Sequence, residues 1–151
     1  MQLGSPVARA LAGARAAAVR EVRGLGVLEL RGDLEAVVLE PGEELIRITP
    51  ARGLLLAEGS TADRRTRLRA AGLRVYDLTA ARAALEVEGE QVLRRLTDLD
   101  LDRLPAVGAV ARGVTALVQR TGPDTFRLLV PQELAHYVAE VALDMAEGLS
   151  R

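Results

Sequence analysis

A chain of 151 residues, 49% of them hydrophobic, is long enough to bury the core of one domain, although only three residues are aromatic. The formal net charge of −1 argues against a dedicated nucleic-acid-binding protein, because neutralising phosphates requires a cationic surplus. The absence of cysteine excludes disulfides, cysteine-ligated zinc, iron–sulfur clusters and thiol catalysis.

The first twenty residues are rich in arginine and alanine and contain no acid, a composition that superficially resembles a transit peptide. An ordinary amphipathic first helix is the better interpretation, because apolar residues follow Ser5-Pro6 at helical spacing. No secretory signal is visible, and no apolar run approaches the ~20 residues of a membrane-spanning helix. We therefore expect a cytoplasmic protein without a membrane segment.

Strand and helix patterns then alternate along the chain. The sequence predicts a strand at 22–31, a short helix or turn at 32–39, a hairpin with strands 45–49 and 54–57, a helix near 61–71, strands at 75–78 and 83–88, and a helix at 90–97. A long strand at 107–119 is reversed by a turn at 121–124 into a strand at 125–130. A final helix within 131–147 is predicted to bury Leu134, Tyr137, Val138, Val141 and Met145.

One short pattern occurs twice: an alternating strand that ends on glycine. Leu28-Glu29-Leu30-Arg31-Gly32 is matched by Leu85-Glu86-Val87-Glu88-Gly89, and each copy leads on to an apolar strand and a helix. This repetition predicts two βαββ-type halves in which the two segments are equivalent strands. The expected fold class is α+β, in a single domain over 1–151 with halves at about 20–72 and 73–148.

The polar residues of the sequence offer few candidates for chemistry. His136, Glu140 and Asp144 recur at a spacing of four, but they lie opposite the apolar stripe of the last helix, which favours a solvated face over a metal site. The run from Asp98 to Asp102 lacks the glycine and glutamate of a calcium loop and more plausibly ends one helix and caps a turn. No catalytic, cofactor-binding or metal-binding residue is therefore predicted.

Two further motifs are equally weak. Gly24-x-Gly26 precedes a strand and lacks a third glycine, so it does not support a dinucleotide-binding loop, and no serine has an evident histidine base. Four arginines crowd one predicted helix: Arg64, Arg65, Arg67 and Arg69. We favour a solvated helix face for them, and the alternative is a surface for an anionic partner.

Six framework motifs follow one another along the chain. They are residues 20–32 (REVRGLGVLELRG), 75–79 (VYDLT), 85–89 (LEVEG), 93–101 (LRRLTDLDL), 107–112 (VGAVAR) and 125–131 (TFRLLVP). In this order and spacing the chain resembles the gamma subunit of heterotetrameric sarcosine oxidase over nearly its whole length. None of the motifs is a catalytic signature.

The resemblance implies a fold related to the folate-binding fold of the glycine-cleavage T-protein, with duplicated ferredoxin-like halves, antiparallel sheets and helices on one face. It also implies an accessory subunit whose larger flavoprotein partners carry the flavins, NAD, the amine site and the folate site, while a small partner subunit carries zinc. The whole complex would demethylate sarcosine oxidatively to glycine, with folate-linked one-carbon transfer. No cofactor would reside in this chain itself.

The sequence departs from the T-protein pattern in the strand pair at 107–130. Members of that family carry an acidic catalytic residue there, whereas this chain has no carboxylate in the pair before Asp124. This difference argues against independent aminomethyl transfer. Two alternatives to the accessory subunit remain: a homodimeric folate-binding module and a minimal aminomethyltransferase-like protein.

The predicted strand 107–119 also suggests where a partner docks. Both of its faces are small or apolar over more length than the ~5–6 residues of an ordinary strand, and Arg112 is its only charge. Arg112 is therefore the candidate interface residue. The alternative is that Arg112 only keeps a sheet edge soluble.

Overall fold

The structure is a computed structural model that describes residues 18–149. Within this range the strands are β1 (Val19–Val22), β2 (Leu25–Arg31), β3 (Glu44–Thr49), β4 (Arg52–Glu58), β5 (Arg74–Asp77), β6 (Arg82–Glu88), β7 (Ala106–Val110), β8 (Val114–Arg120) and β9 (Thr125–Pro131). The α-helices are α1 (Ala62–Ala70), α2 (Glu90–Leu96) and α3 (Ala135–Leu149), and short 3-10 helices lie at Leu34–Ala36, Leu101–Arg103 and Gln132–Leu134. The amphipathic helix predicted after Ser5-Pro6 lies outside the described residues.

The chain forms two compact units. The central unit consists of residues 23–82, and the terminal unit combines residues 18–22 with residues 83–149. These bounds differ from the predicted halves at 20–72 and 73–148, because β5 returns to the sheet of the central unit and β1 pairs with β6. No helix in the described residues is long and apolar enough to span a membrane.

The central unit is a ferredoxin-like arrangement of strand, helix, hairpin, helix and strand. Its four strands lie in the order β3-β4-β2-β5, and all pairs are antiparallel. Leu28 and Leu30 of β2 point to the face on which Leu68 of α1 and Leu34 of the first 3-10 helix pack. The unit therefore has its own apolar core on one face of the sheet.

The terminal unit repeats this arrangement with two differences: its first strand comes from earlier in the chain, and β7 adds a fifth strand at one edge. Its five strands lie in the order β1-β6-β9-β8-β7, so β1, which precedes β6 in the chain, takes the place that β5 has in the central unit. The helices α2 and α3 pack against each other and against the sheet. The largest side chain of this core is Phe126, which is fully buried.

The two copies of the repeated pattern occupy equivalent places. β2 lies between β4 and β5, and β6 lies between β9 and β1, so each is an inner strand of its sheet. Each also borders one strand of a hairpin: β2 borders β4 of the hairpin β3–β4, and β6 borders β9 of the hairpin β8–β9. Each copy ends on a glycine with positive φ, 131° at Gly32 and 103° at Gly89, and a helix follows. The predicted equivalence of the two strands and the α+β fold class are confirmed.

Two predicted strands are wrong as continuous elements. The strand at 22–31 is broken at Gly24, whose φ of 78° ends β1 and lets β2 enter the other sheet. The strand at 107–119 is the hairpin of β7 and β8, because the chain reverses at 111–113. Glycine supplies the left-handed backbone in the first break, where a side chain would be strained.

The last helix buries part of the predicted stripe: Val138 is buried as predicted, and Val141 and Met145 pack against the core at its margin. Ala135, Val138, Ala139 and Ala142 are buried, whereas Leu134 and Tyr137 are exposed and Val141 and Met145 are half-buried. Small side chains therefore take most of the fully buried positions of α3, and its larger apolar residues lie at the margin of the core. By contrast, the predicted inward residues of α2 (Val92, Leu93 and Leu96) are all buried.

Candidate functional site

Arg112 lies at the tip of the β7–β8 hairpin. Ala111, Arg112 and Gly113 have positive φ values of 48°, 67° and 122° in succession. The turn is held by the Gly113 N–H, which donates to the Val110 carbonyl at 3.1 Å, and by the Ala111 N–H, which donates to the Leu96 carbonyl at 2.9 Å. Ala111 is buried and Arg112 is exposed, so the premise of a charge in the middle of a long apolar strand is wrong. The interface role of Arg112 stays a prediction.

Replacing Arg112 with glutamate should weaken assembly with a partner or self-association and leave the melting temperature nearly unchanged. The side chain is exposed on a turn, and surface substitutions usually change stability by less than about 0.5 kcal/mol. Analytical ultracentrifugation and thermal unfolding would measure the two effects. Arg103→Glu is the matched control, because Arg103 is 84% exposed on the same unit. Equal assembly of the two variants would remove Arg112 from the interface.

The polar residues of the last helix form a surface pair. His136 Nε2 lies 3.1 Å from Glu140 Oε1, one helical turn away, and Asp144 is exposed on the following turn. No group of three or more histidine, aspartate or glutamate side chains able to hold a metal ion occurs in residues 18–149. The predicted absence of metal in this chain remains a prediction.

Two aspartates that the sequence singled out hold helix ends. Asp100 accepts a hydrogen bond from the Asp102 N–H at 3.0 Å and caps the 3-10 helix at Leu101–Arg103, which confirms the predicted turn. Asp124 accepts from the Glu90 N–H at 2.8 Å and so satisfies a donor at the start of α2. The carboxylate in the β8–β9 turn therefore has a structural partner.

A buried carboxylate, Glu43, forms the centre of an ion-pair cluster in the central unit. Its side chain is fully buried, and it accepts from Arg64 Nε at 2.8 Å and from Arg67 NH2 at 2.6 and 2.8 Å. Arg67 NH1 also lies 2.6 Å from Glu40 Oε2, and the Glu40 N–H donates to Glu43 Oε1 at 2.9 Å. We call these four residues the Glu43 cluster.

The Glu43 cluster corrects the interpretation of the arginine-rich helix. Arg64 and Arg67 are 22% and 30% exposed and bind an anion of the same chain, so a solvated helix face is wrong for these two residues. Two local features are visible in the sequence: Pro41-Gly42 turns the chain just before Glu43, and Arg64 and Arg67 are three residues apart and share one side of α1. Neither feature shows that these two segments meet.

The cluster sets the ionisation of its carboxylate. Burial alone would raise the pKa of Glu43, but the hydrogen bonds from the Glu40 N–H, Arg67 and Arg64 outweigh it and lower the pKa below its ordinary value of 4.5. The pKa of Arg67 is raised, chiefly by its hydrogen bond to Glu43. The ion pair is therefore fully formed at neutral pH.

An open cavity of about 520 Å³ adjoins the cluster. It is lined by Glu40, Glu58, Ser60, Asp63, Arg64 and Arg67. Arg64 NH1 donates to the carbonyls of Glu58 and Ser60 at 2.9 and 3.0 Å. The ion pairs of Arg64 and Arg67 with Glu43 and Glu40 hold the segment 40–43 against α1 beside this cavity.

Asp77 forms a second polar junction in the central unit. It accepts from the Thr79 N–H at 3.0 Å and from the Thr61 hydroxyl at 2.8 Å, and Thr79 Oγ1 accepts from the Val27 N–H at 3.0 Å. The pKa of Asp77 is lowered, first by the Thr79 hydroxyl and N–H and then by Thr61 and the positive charge of Arg65. The motif at 75–79 thus joins the end of β5 to β2 and to the residue preceding α1.

No protein-family model and no curated protein matches the sequence. Solved structures do share its fold. A chain of heterotetrameric sarcosine oxidase from Corynebacterium sp. U-96, in complex with pyrrole 2-carboxylate, is 23% identical, with a TM-score of 0.79. The alignment covers 99% of this chain and 97% of that one. The chain has the fold of that sarcosine oxidase chain.

Two other solved structures share the fold more distantly. The glycine cleavage system aminomethyltransferase T from Bartonella henselae is 19% identical, with a TM-score of 0.59. The alignment covers 91% of this chain and 48% of that one, so this chain spans about half the length of the aminomethyltransferase. The alpha and beta subunits of an aspartokinase include a chain that is 8% identical with a TM-score of 0.53, and the alignment covers 86% of this chain and 97% of that one. The predicted likeness to sarcosine oxidase and to the T-protein is confirmed for the fold.

Proposed function

We propose that the chain is a non-catalytic accessory subunit of a heteromeric flavoenzyme of the sarcosine oxidase type. The observation that carries the proposal is the match over nearly the whole length of both chains, with a TM-score of 0.79. Because 99% of one chain aligns with 97% of the other, the two chains are nearly equal in length. This agreement supports an assignment to the same kind of subunit.

The polar side chains support a structural role. Glu43 forms ion pairs with Arg64 and Arg67. Asp77 accepts hydrogen bonds from Thr61 and Thr79. Asp124 accepts a hydrogen bond from the first N–H of α2. These carboxylates are engaged in bonds that position helices and loops. In the proposed complex the larger flavoprotein subunits carry flavin, NAD, the amine site and the folate site, another subunit carries zinc, and oxidative demethylation of sarcosine takes place in the cytoplasm.

Co-expression of the tagged chain with its neighbouring genes should yield a yellow complex that oxidises sarcosine. The chain purified alone should show no flavin absorbance, no bound zinc and no amine oxidase activity. Pull-down with mass spectrometry, absorbance and metal analysis would measure this, with untagged chain as the control. Stoichiometric flavin or metal in the isolated chain, or failure to recover a flavin-bearing partner, would contradict the proposal.

A homodimeric folate-binding module is the second candidate, and one observation favours it. The chain spans 48% of the aminomethyltransferase T chain, so two copies would approach the length of that protein. The same purification separates the two candidates. A self-dimer that binds tetrahydrofolate in equilibrium dialysis would favour the module. A chain that does not dimerise and is recovered in complex with a flavoprotein would favour the accessory subunit.

A further inference from the structure

Three arginines stand side by side across the sheet of the central unit. Arg31 of β2 is paired in register with Arg52 of β4 on one side and with Arg74 of β5 on the other. Residues directly opposite in neighbouring strands point to the same face, so the three side chains form a row, which we call the arginine row. Like charges in this arrangement destabilise a sheet unless something compensates them.

The row lies on the face opposite the apolar core of the unit. Leu30 of β2 and Val75 of β5 belong to the core with Leu68 of α1, and their neighbours Arg31 and Arg74 alternate to the other side. Arg31 and Arg52 are 47% and 45% exposed, and Arg74 is also exposed. The row is therefore accessible to another molecule.

One carboxylate compensates part of this charge. Glu29, two residues before Arg31 on the same face, is buried; its Oε2 accepts from Arg31 Nε at 3.2 Å and its Oε1 accepts from Arg52 Nε at 2.8 Å. No ion pair joins Arg74 to any of the described residues, 18–149. Three guanidinium charges thus share one carboxylate, and two positive charges are left over.

Tyr76 completes the surface. It is paired in register with Glu29, is 44% exposed, and its ring centroid lies 5.4 Å from Arg31 Cζ. Arginine and tyrosine are among the residues that most often carry the binding energy of protein interfaces, because each offers a large apolar surface together with directed hydrogen bonds. A cationic row beside an exposed aromatic ring therefore has the composition of a protein-binding surface.

We infer that the arginine row and Tyr76 bind an acidic segment of a protein partner, with two of its carboxylates neutralising the excess charge. The row already shows this recognition within the chain, because Glu29 is held by two of its members. A nucleic acid is disfavoured, since the chain as a whole has a net charge of −1. This surface lies within the central unit, and the inference does not depend on the proposed subunit role.

The test uses the full chain and a fluorescein-labelled peptide that alternates glutamate and alanine, followed by fluorescence anisotropy at low ionic strength. The wild-type chain should bind this peptide more weakly as salt is added, and it should not bind the corresponding glutamine peptide. Arg74→Glu should weaken binding by about tenfold or more, because it removes a charge-assisted donor and adds repulsion. Arg74→Gln provides a milder variant if the reversal disturbs folding.

Arg47→Glu is the matched control, since Arg47 is 47% exposed in the same unit and pairs with Gly53, on the core side of β4. It makes the same change in net charge and should alter the dissociation constant by less than about twofold. The inference is overturned if the wild-type chain does not bind the glutamate peptide, or if both reversals weaken binding equally. A DNA oligonucleotide that displaces the peptide more effectively than unlabelled peptide would also overturn it.

Discussion

Replacing Glu43 with alanine is expected to lower the free energy of unfolding by about 2–4 kcal/mol, because it leaves the two arginines that bind this buried anion without their partner. The Glu43 side chain is fully buried, while Arg64 and Arg67 keep part of their surface in water, which places the effect below that of a completely buried pair. Urea unfolding followed by circular dichroism would measure the loss.

Glu35→Ala is the control for this substitution. Glu35 also pairs with an arginine, at 3.3 Å from Arg47, but its side chain is 82% exposed. Exposed pairs contribute about 0–1 kcal/mol, so this variant should remain close to the wild type. If the two variants lost the same stability, Glu43 would not be the anchor of the segment at 40–43.

The pH dependence follows from the lowered pKa of Glu43. A carboxylate with a lower pKa in the native state stabilises the fold above its unfolded-state value, and this stabilisation disappears as the pH falls through the native value. The ordinary pKa of a glutamate is 4.5, so at neutral pH the wild type should show its full advantage in free energy of unfolding over Glu43→Gln. It should shrink only in acid below that value.

The parts of the fold that the sequence predicts are those specified by local patterns. The repeated pentapeptides at Leu28 and Leu85 predict equivalent strands because an alternating apolar strand that ends on glycine is a local signal. The helix that buries Val92, Leu93 and Leu96 is likewise specified by spacing alone. Such signals do not depend on which distant segment packs against them.

The failures occur where the backbone departs from the signals of single residues. In the turn at 111–113, alanine and arginine adopt positive φ, a conformation that neither residue type favours, so only Gly113 marks the reversal. On α3, the chain buries Ala139 and Ala142 and leaves Tyr137 exposed, because the neighbouring elements, and not the size of the apolar side chain, decide which face is covered. A hydrophobicity pattern ranks these residues in the opposite order.

The charged clusters could not be predicted because their members are distant in the sequence. Glu43 lies 21 residues from Arg64, and the two meet only where the turn before β3 contacts α1. Glu29 lies 23 residues from Arg52, and the register of β2 and β4 brings these two together. The arginine row depends on register in the same way, because a shift of one residue would send Arg31 to the core face. A sequence shows the charges but does not show the neighbours that the sheet gives them.

Leu28→Ala and Leu85→Ala should each destabilise the protein by about 2–5 kcal/mol, the cost of removing a fully buried leucine and leaving a cavity. Leu28 lies in the core of the central unit and Leu85 in that of the terminal unit, at corresponding positions of the repeated pattern. Calorimetry would give the loss of stability, and hydrogen exchange would show where protection is lost.

The controls for this pair are Val38→Ala and Val107→Ala, since both valines are exposed, one in each unit. They should change the free energy of unfolding by less than about 0.5 kcal/mol. The predicted single domain adds a stricter expectation: Leu28→Ala and Leu85→Ala should shift one common melting transition. A large loss for one leucine and a negligible loss for the other would mean that the repeated strands do not carry equivalent shares of the fold.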